Sequence, residues 1–215
     1  MLCRGVCLGM VAGLALAGCS DSPTPESPDR LRAVRETVAA GDDKAAEQVG
    51  AMVRDPDRRV ASQAIVMLGR MPSGRASEIL KDVLATEQRP ELRKWAAVSL
   101  GQRRDPQAAD GLRRAVSRDR DADVRSQAAL SLGRAGTVDD VAVLAQVAGA
   151  ESDPQAIRAQ VTAMESLIGV RFPYDAKASP QVRREQLERV RREAVRLMQI
   201  RKGQSPPDFK DATLP

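Results

Sequence analysis

The sequence predicts an all-α chain, a right-handed α-solenoid of about four helical hairpins closed by a C-terminal capping helix. Three observations carry that expectation. The stretch Val124-Arg125-Ser126-Gln127-Ala128-Ala129-Leu130-Ser131-Leu132-Gly133 recurs 32 residues earlier from Leu92 to Gly101, again 32 before that from Val60 to Gly69, and more loosely 33 residues on, from Ile157-Arg158-Ala159-Gln160. A fixed period of this size marks stacked supersecondary units, each burying its apolar face on a neighbour. Leu80 and Leu84 recur as Leu112 and Val116, then as Leu144 and Ala148, so a second apolar stripe keeps step with the first. Hydrophobic residues make up 42% of the chain but aromatic residues only 2%, and this Ala, Val and Leu content suits closely stacked helices.

The repeated stretch resembles the HEAT-like repeats of the phycobilisome-lyase type, which read roughly D-x-x-V-R-x-x-A-A-x-A-L-G. The resemblance covers about residues 43–170. It rests on Leu68-Gly69, Leu100-Gly101 and Leu132-Gly133, and on Arg93, Arg125 and Arg158 after the leading apolar residue. Ala61 replaces that Arg in the first copy, and Val161-Thr162-Ala163-Met164 departs from the pattern in the last, as terminal repeats do. The resemblance implies a scaffold that holds other proteins along one row of helices. Phycobilisome-lyase relatives attach bilins to proteins inside cells, an activity that a chain with an export signal and no His gives no reason to expect here.

At the start, Met1 to Ala17 has one charged residue, Arg4, before an apolar run too short to cross a bilayer as a helix, so residues 1–18 read as a signal peptide. Leu16-Ala17-Gly18-Cys19 resembles the bacterial lipobox, which implies cleavage before Cys19 and lipidation of it. An ordinary secretory signal ending in Cys, or a short uncleaved anchor, is the alternative. Cys3 and Cys7 fall in the segment to be removed, which leaves Cys19 without a disulfide partner and rules out a Cys-type zinc site. Residues 19–28, with Pro23, Pro25 and Pro28, read as a disordered, semi-extended linker. Ser20 after Cys19, by resemblance to enterobacterial sorting, favours the outer membrane. The expected location is thus the bacterial cell envelope, facing the periplasm.

Leu31, Val34 and Val38 place an N-terminal capping helix within 29–42. Within 43–170, each hairpin pairs a motif helix with a first helix, expected near Lys44 to Val53, Arg75 to Leu84, Gln107 to Val116 and Val138 to Val147. Asp105-Pro106 and Asp153-Pro154 put a cap acceptor before a proline at the first helical position. Thr137 with Asp140 resembles a capping pair. The Gly of each Leu-Gly pair is expected to end its helix in a left-handed C-cap, with Arg103, Arg104 and Arg134 there to favour the helix C-terminus or, as the alternative, to bind a partner. Residues 171–202 hold an aromatic loop and a long helix. Phe172 and Tyr174 either plug the open end of the array or form a partner loop. Leu187, Val190, Ala194 and Leu197 line one face of the helix, and eight basic against three acidic residues equal the whole chain's +5. Its basic face, represented by Arg184, Arg191 and Arg192, either keeps an end cap soluble or meets anionic lipid headgroups or an acidic partner. Residues 203–215 read as a disordered tail.

The absence of His removes the commonest general base and the commonest metal ligand. Asp119, Asp121 and Asp123 suggest a calcium loop, but Val124 and Leu130 stand where its Gly and Glu are required. Catalytic residues, metals, cofactors and small-molecule substrates are therefore not expected. Nucleic-acid binding, suggested by a pI near 9.5, is disfavoured because residues 19–179 carry 24 basic and 24 acidic side chains and few aromatics. The functional expectation is a lipid-anchored envelope scaffold for protein partners, with an enzyme-accessory or lyase-like protein as the alternative. Candidate contacts are Arg93, Lys94, Arg125, Gln127, Arg158 and Gln160. The competing role for the same side chains is an intramolecular ladder between repeats.

Overall fold

A computed structural model describes residues 42–103 and 106–203, together with Asp29 and Arg32. The expected signal peptide at 1–18, Cys19 and its linker, all but three residues of the 29–42 segment, the Asp105 cap, and the tail after Gly203 lie outside the described residues.

Helices follow the 32-residue rhythm. They are α1 (Asp43–Ala51), α2 (Arg58–Arg70), α3 (Gly74–Thr86), α4 (Pro90–Arg103), α5 (Pro106–Arg118), α6 (Ala122–Ala135), α7 (Asp140–Ala150), α8 (Pro154–Ile168) and α9 (Pro180–Arg201), with a short 3-10 turn at Met52–Arg54. Side-chain oxygens start most of them, as Asp42, Asp57, Ser73, Asp121, Asp153 and Ser179 accept the first free N–H groups of α1, α2, α3, α6, α8 and α9. The expected Thr137–Asp140 pair forms only its return half, from the Thr137 N–H to Asp140 at 2.8 Å. The Asp140 carboxylate is buried and also meets Arg113.

The hairpins stack in two rows, α2, α4, α6 and α8 in one and α1, α3, α5 and α7 in the other. The glycines of the Leu-Gly pairs are not C-caps. Gly69, Gly101 and Gly133 stay inside their helices, and among the described glycines positive φ is confined to Gly169 and Gly203. Their role is close approach. A Cβ on Gly69 would stand 2.8 Å from Ser99 Cβ, one on Gly101 2.6 Å from Ser131 Cβ, and one on Gly133 2.9 Å from the Ala163 backbone. The other row is held apart by longer side chains, Ile79 against Gly50 and Lys81 against Gly111. A groove of about 530 Å³ opens there between α1 and α3. Since the motif row is the more tightly spaced of the two, it forms the inner side of the array.

The same contacts correct the register of the last repeat. Gly133 meets Ala163 at the 30-residue offset by which Gly69 meets Ser99 and Gly101 meets Ser131, so α8 continues at 32 rather than the 33 suggested by its Ile-Arg start. Gln160 therefore takes the slot of Ala64, Ala96 and Ala128 and, like them, is fully buried. Glu165 takes the slot of the glycines. With no further motif helix beyond it, its carboxylate accepts the Phe172 N–H at 2.9 Å.

The chain then doubles back. From Gly169, the C-cap of α8 at φ 77°, it passes Glu165 at Phe172 and reaches Arg158 at Tyr174, whose carbonyl accepts the guanidinium at 3.3 Å. α9 next runs parallel to α8 and packs on both α7 and α8. It buries Leu187, Val190, Ala194 and Met198, with Met198 where Leu197 was expected and Leu197 only half-buried. At its far end Arg201 donates to the Leu167 carbonyl, close to where α8 ends.

Candidate interaction surface

The motif arginines form a ladder that ties each repeat to the next. Arg93 on α4 donates through Nε and Nη2 to the two oxygens of Asp119, both at 2.8 Å, and through Nη1 to the carbonyls of Glu87 and Gln88 at 2.9 and 3.1 Å. Arg125 repeats the arrangement on α6, with Glu151 at 2.7 and 2.8 Å and the Asp119 carbonyl at 2.9 Å. In both rungs the acid lies 26 residues after the arginine and a carbonyl six before it. Paired, bidentate hydrogen bonds let these groups be buried as ions. The Arg93 and Asp119 side chains are only 4% and 7% exposed.

Ala61 leaves the first rung without its arginine, and Arg89 fills the position from the neighbouring hairpin. Its guanidinium donates to Glu87, 26 residues after Ala61, at 3.0 Å, and to the carbonyls of Asp55, six before Ala61, and Val53, both at 3.2 Å. Arg89 occupies the position held in other repeats by the capping residues Asp57, Asp121 and Asp153. The hydrogen bonds from Arg89 hold the Glu87 carboxyl down to about 2 despite partial burial. For Glu151, burial pushes the carboxyl up, but hydrogen bonds from Arg125 and the Asp153 N–H outweigh it and leave the group below its usual range.

The six candidate contact residues thus separate. Arg93 and Gln160 are buried and offer no surface to a partner, Arg93 because it is spent on Asp119 and Gln160 because of the 32-residue register. Arg125 is committed to Glu151 and Arg158 to Tyr174. Lys94 pairs with Asp123 at 3.0 Å in a partly exposed contact, and Gln127 reaches Ser131 Oγ at 3.4 Å. The acidic run is likewise structural. Asp119 binds Arg93 and accepts the Asp121 N–H, Asp121 caps α6, and Asp123 meets Lys94.

The C-terminal segment shows a similar division. Phe172 and Tyr174 are both buried in the core that closes the array, and burial pushes the Tyr174 phenol up. Arg191 is not on the exposed basic face. Its guanidinium lies over Gly149, donates to the Ala145 carbonyl at 2.6 Å and pairs with Glu188. Arg183 and Arg201 bind carbonyls and Lys202 pairs with Asp139. Three of the eight basic residues, Arg191, Arg201 and Lys202, thus dock the helix on the array, while Arg184, Arg189 and Arg192 stay exposed.

Apart from Lys94 and Gln127, what remains open on the inner row was not among the candidate contacts. Trp95, the single tryptophan, is 45% exposed in the middle of α4, where Gln63 and Gln127 stand 32 residues before and after. Val66, Val98 and Leu130 recur beside it at the same interval and are each half-buried. Arg70, Gln102 and Arg134 follow in the last turns of α2, α4 and α6, all exposed. The signal was a solvent position of the repeat that carries an aromatic residue once, and an aromatic there has no core to enter.

A family model described as HEAT repeats matches residues 16–101 and 84–165. No curated protein matches the chain. With the stacked hairpins and the motif row in the same register, the chain belongs to the HEAT-repeat family, whose helical arrays serve as protein-interaction modules.

Proposed function

We propose that this protein is a lipid-anchored scaffold of the bacterial cell envelope, held at the membrane through Cys19 and presenting its inner helix row to a protein partner. The observation that carries the scaffold reading is the division of side chains on that row. Arg93, Arg125 and Arg89 are consumed in fixing one repeat to the next, whereas Trp95 with Val66, Val98 and Leu130 is left open on a frame that these rungs make rigid. A preorganised surface loses little entropy on binding, and exposed tryptophans are favoured anchors. Leu16-Ala17-Gly18-Cys19 and the polar linker supply the anchoring part of the reading. One acyl chain holds a protein only marginally at a bilayer, but two or more hold it stably.

The test is membrane fractionation of wild type and Cys19→Ser, followed by capture from the solubilised membrane with wild type and Trp95→Ala. Release of the serine variant, and a partner recovered with wild type but not with Trp95→Ala, are the expected results. A serine variant that stays with membranes at the mature size removes the anchor, and identical capture by both proteins removes the row.

A further inference from the structure

We infer that the inner row recognises an extended acidic peptide carrying a bulky apolar side chain, which packs on Trp95 while its carboxylates meet Arg70 and Arg134. The inference rests on the scaffold reading and names the chemistry of the partner. Arg70 and Arg134 are exposed, and neither takes part in an ion pair among the described residues. Nor are they needed by the helix ends beneath them. Around the end of α2, Arg103 already donates to the carbonyls of Leu68, Met71 and Ser73. Around the end of α6, the Gly133 carbonyl accepts Ser166 Oγ at 3.0 Å and the Leu132 carbonyl accepts the Gly136 N–H at 2.7 Å. Along this edge the last turns of α2, α4 and α6 hold Arg70, Gln102, Arg103 and Arg134 and no carboxylate. At the opposite end Asp123 is neutralised by Lys94. Among the described residues no carboxylate pairs with Arg70 or Arg134, and complementary charge sets the sign of the ligand.

Dimensions agree. Adjacent stacked helices lie about 8–10 Å apart, so Arg70 and Arg134, on helices either side of α4, are about 20 Å apart. Six or seven extended residues span that distance at about 3.3 Å each. Trp95 lies seven residues before Gln102, about 10 Å up the axis of α4, within reach of one large side chain from such a segment.

The experiment is selection of random twelve-residue peptides displayed on phage against the full chain in detergent, with synthetic copies of the selected sequences then titrated while Trp95 emission is followed. With tryptophan left out of the peptides, emission from Trp95, the only tryptophan of the chain, reports this surface alone. Selected peptides should carry two or more Asp or Glu and one aromatic or large aliphatic residue, and should shift the emission to the blue. Arg70→Glu with Arg134→Glu, and separately Trp95→Ala, should each weaken binding at least tenfold by anisotropy of the labelled peptide, with unchanged helical circular dichroism. Basic or charge-neutral peptides overturn the inference. So do acidic peptides whose affinity survives both sets of substitutions, which would leave the scaffold reading standing on another face. The same selection on a chain stopped after Gly203 provides a further control, and no selected peptide on either chain overturns both the inference and the scaffold reading. Peptides that bind only this shortened chain would show the row occupied by the protein's own residues 204–215 and overturn a partner in trans.

Discussion

Exchanging two residues should convert the first repeat to the arrangement of its neighbours. Arg89→Asp restores a capping carboxylate at the start of α4, as at Asp57, Asp121 and Asp153, a gain of about 1 kcal/mol. It also deletes the guanidinium bound to Glu87, Asp55 and Val53. Holding Glu87 near 2 instead of 4.5 corresponds to at most about 3 kcal/mol, less some screening because Arg89 is a third exposed. The single variant should therefore lose about 2 kcal/mol. Ala61→Arg alone forces a second guanidinium toward a slot that Arg89 fills, at a cost of about 1–3 kcal/mol. In the double variant Arg at 61 has Glu87 26 residues ahead and the Asp55 carbonyl six behind, the spacing of the Arg93 and Arg125 rungs. Stability should return to within about 1 kcal/mol of wild type, a coupling of about 2 kcal/mol or more. Urea denaturation followed by helical circular dichroism measures all four proteins. The folded carboxyl of Glu87 is depressed, so its contribution is present above about 4.5 and fades as pH falls toward 2. The Arg89→Asp deficit should shrink over that window. Simple additivity of the two substitutions, or a deficit independent of pH, refutes the rung.

Three further outcomes follow from the packing. Gly101→Ala puts a Cβ 2.6 Å from Ser131 Cβ and 2.9 Å from its Cα, so it should cost about 1–3 kcal/mol. Part of that loss should return with Ser131→Gly, and thermal melting that shows no loss in the single variant contradicts the close approach. Gln160 is fully buried in a slot that other repeats fill with Ala, and its amide bonds no described residue. Gln160→Met should raise the melting temperature by a few degrees, on the order of 1 kcal/mol, and a fall of similar size would show that the amide is satisfied. Val190→Asp places a carboxylate between α9 and the array, where Val190 is 1% exposed, and should cost several kcal/mol. Unchanged urea midpoints would mean that α9 is no cap.

Much of the architecture was readable because its cause is local and periodic. The 32-residue interval, the apolar stripes and the Asp or Ser before most helices each depend on residues close in the chain, so helix order, approximate boundaries and the stacked hairpins follow from them. What periodicity could not convey is which neighbour a side chain meets. Gly101 has the composition of a helix end, but its use is set by Ser131, 30 residues away. Arg89 has no motif to announce it, because its role exists only through the gap that Ala61 leaves one hairpin earlier. Gln160 seemed a surface residue while α8 was aligned by its Ile-Arg start, and became a core residue once the Gly133 contact with Ala163 set the register. Arg191 belonged to a charged helix face until the fold laid it over Gly149. Each depends on contacts across repeats, where distance and burial decide whether a charge binds within the protein or remains free, as at Arg70 and Arg134, to meet something else.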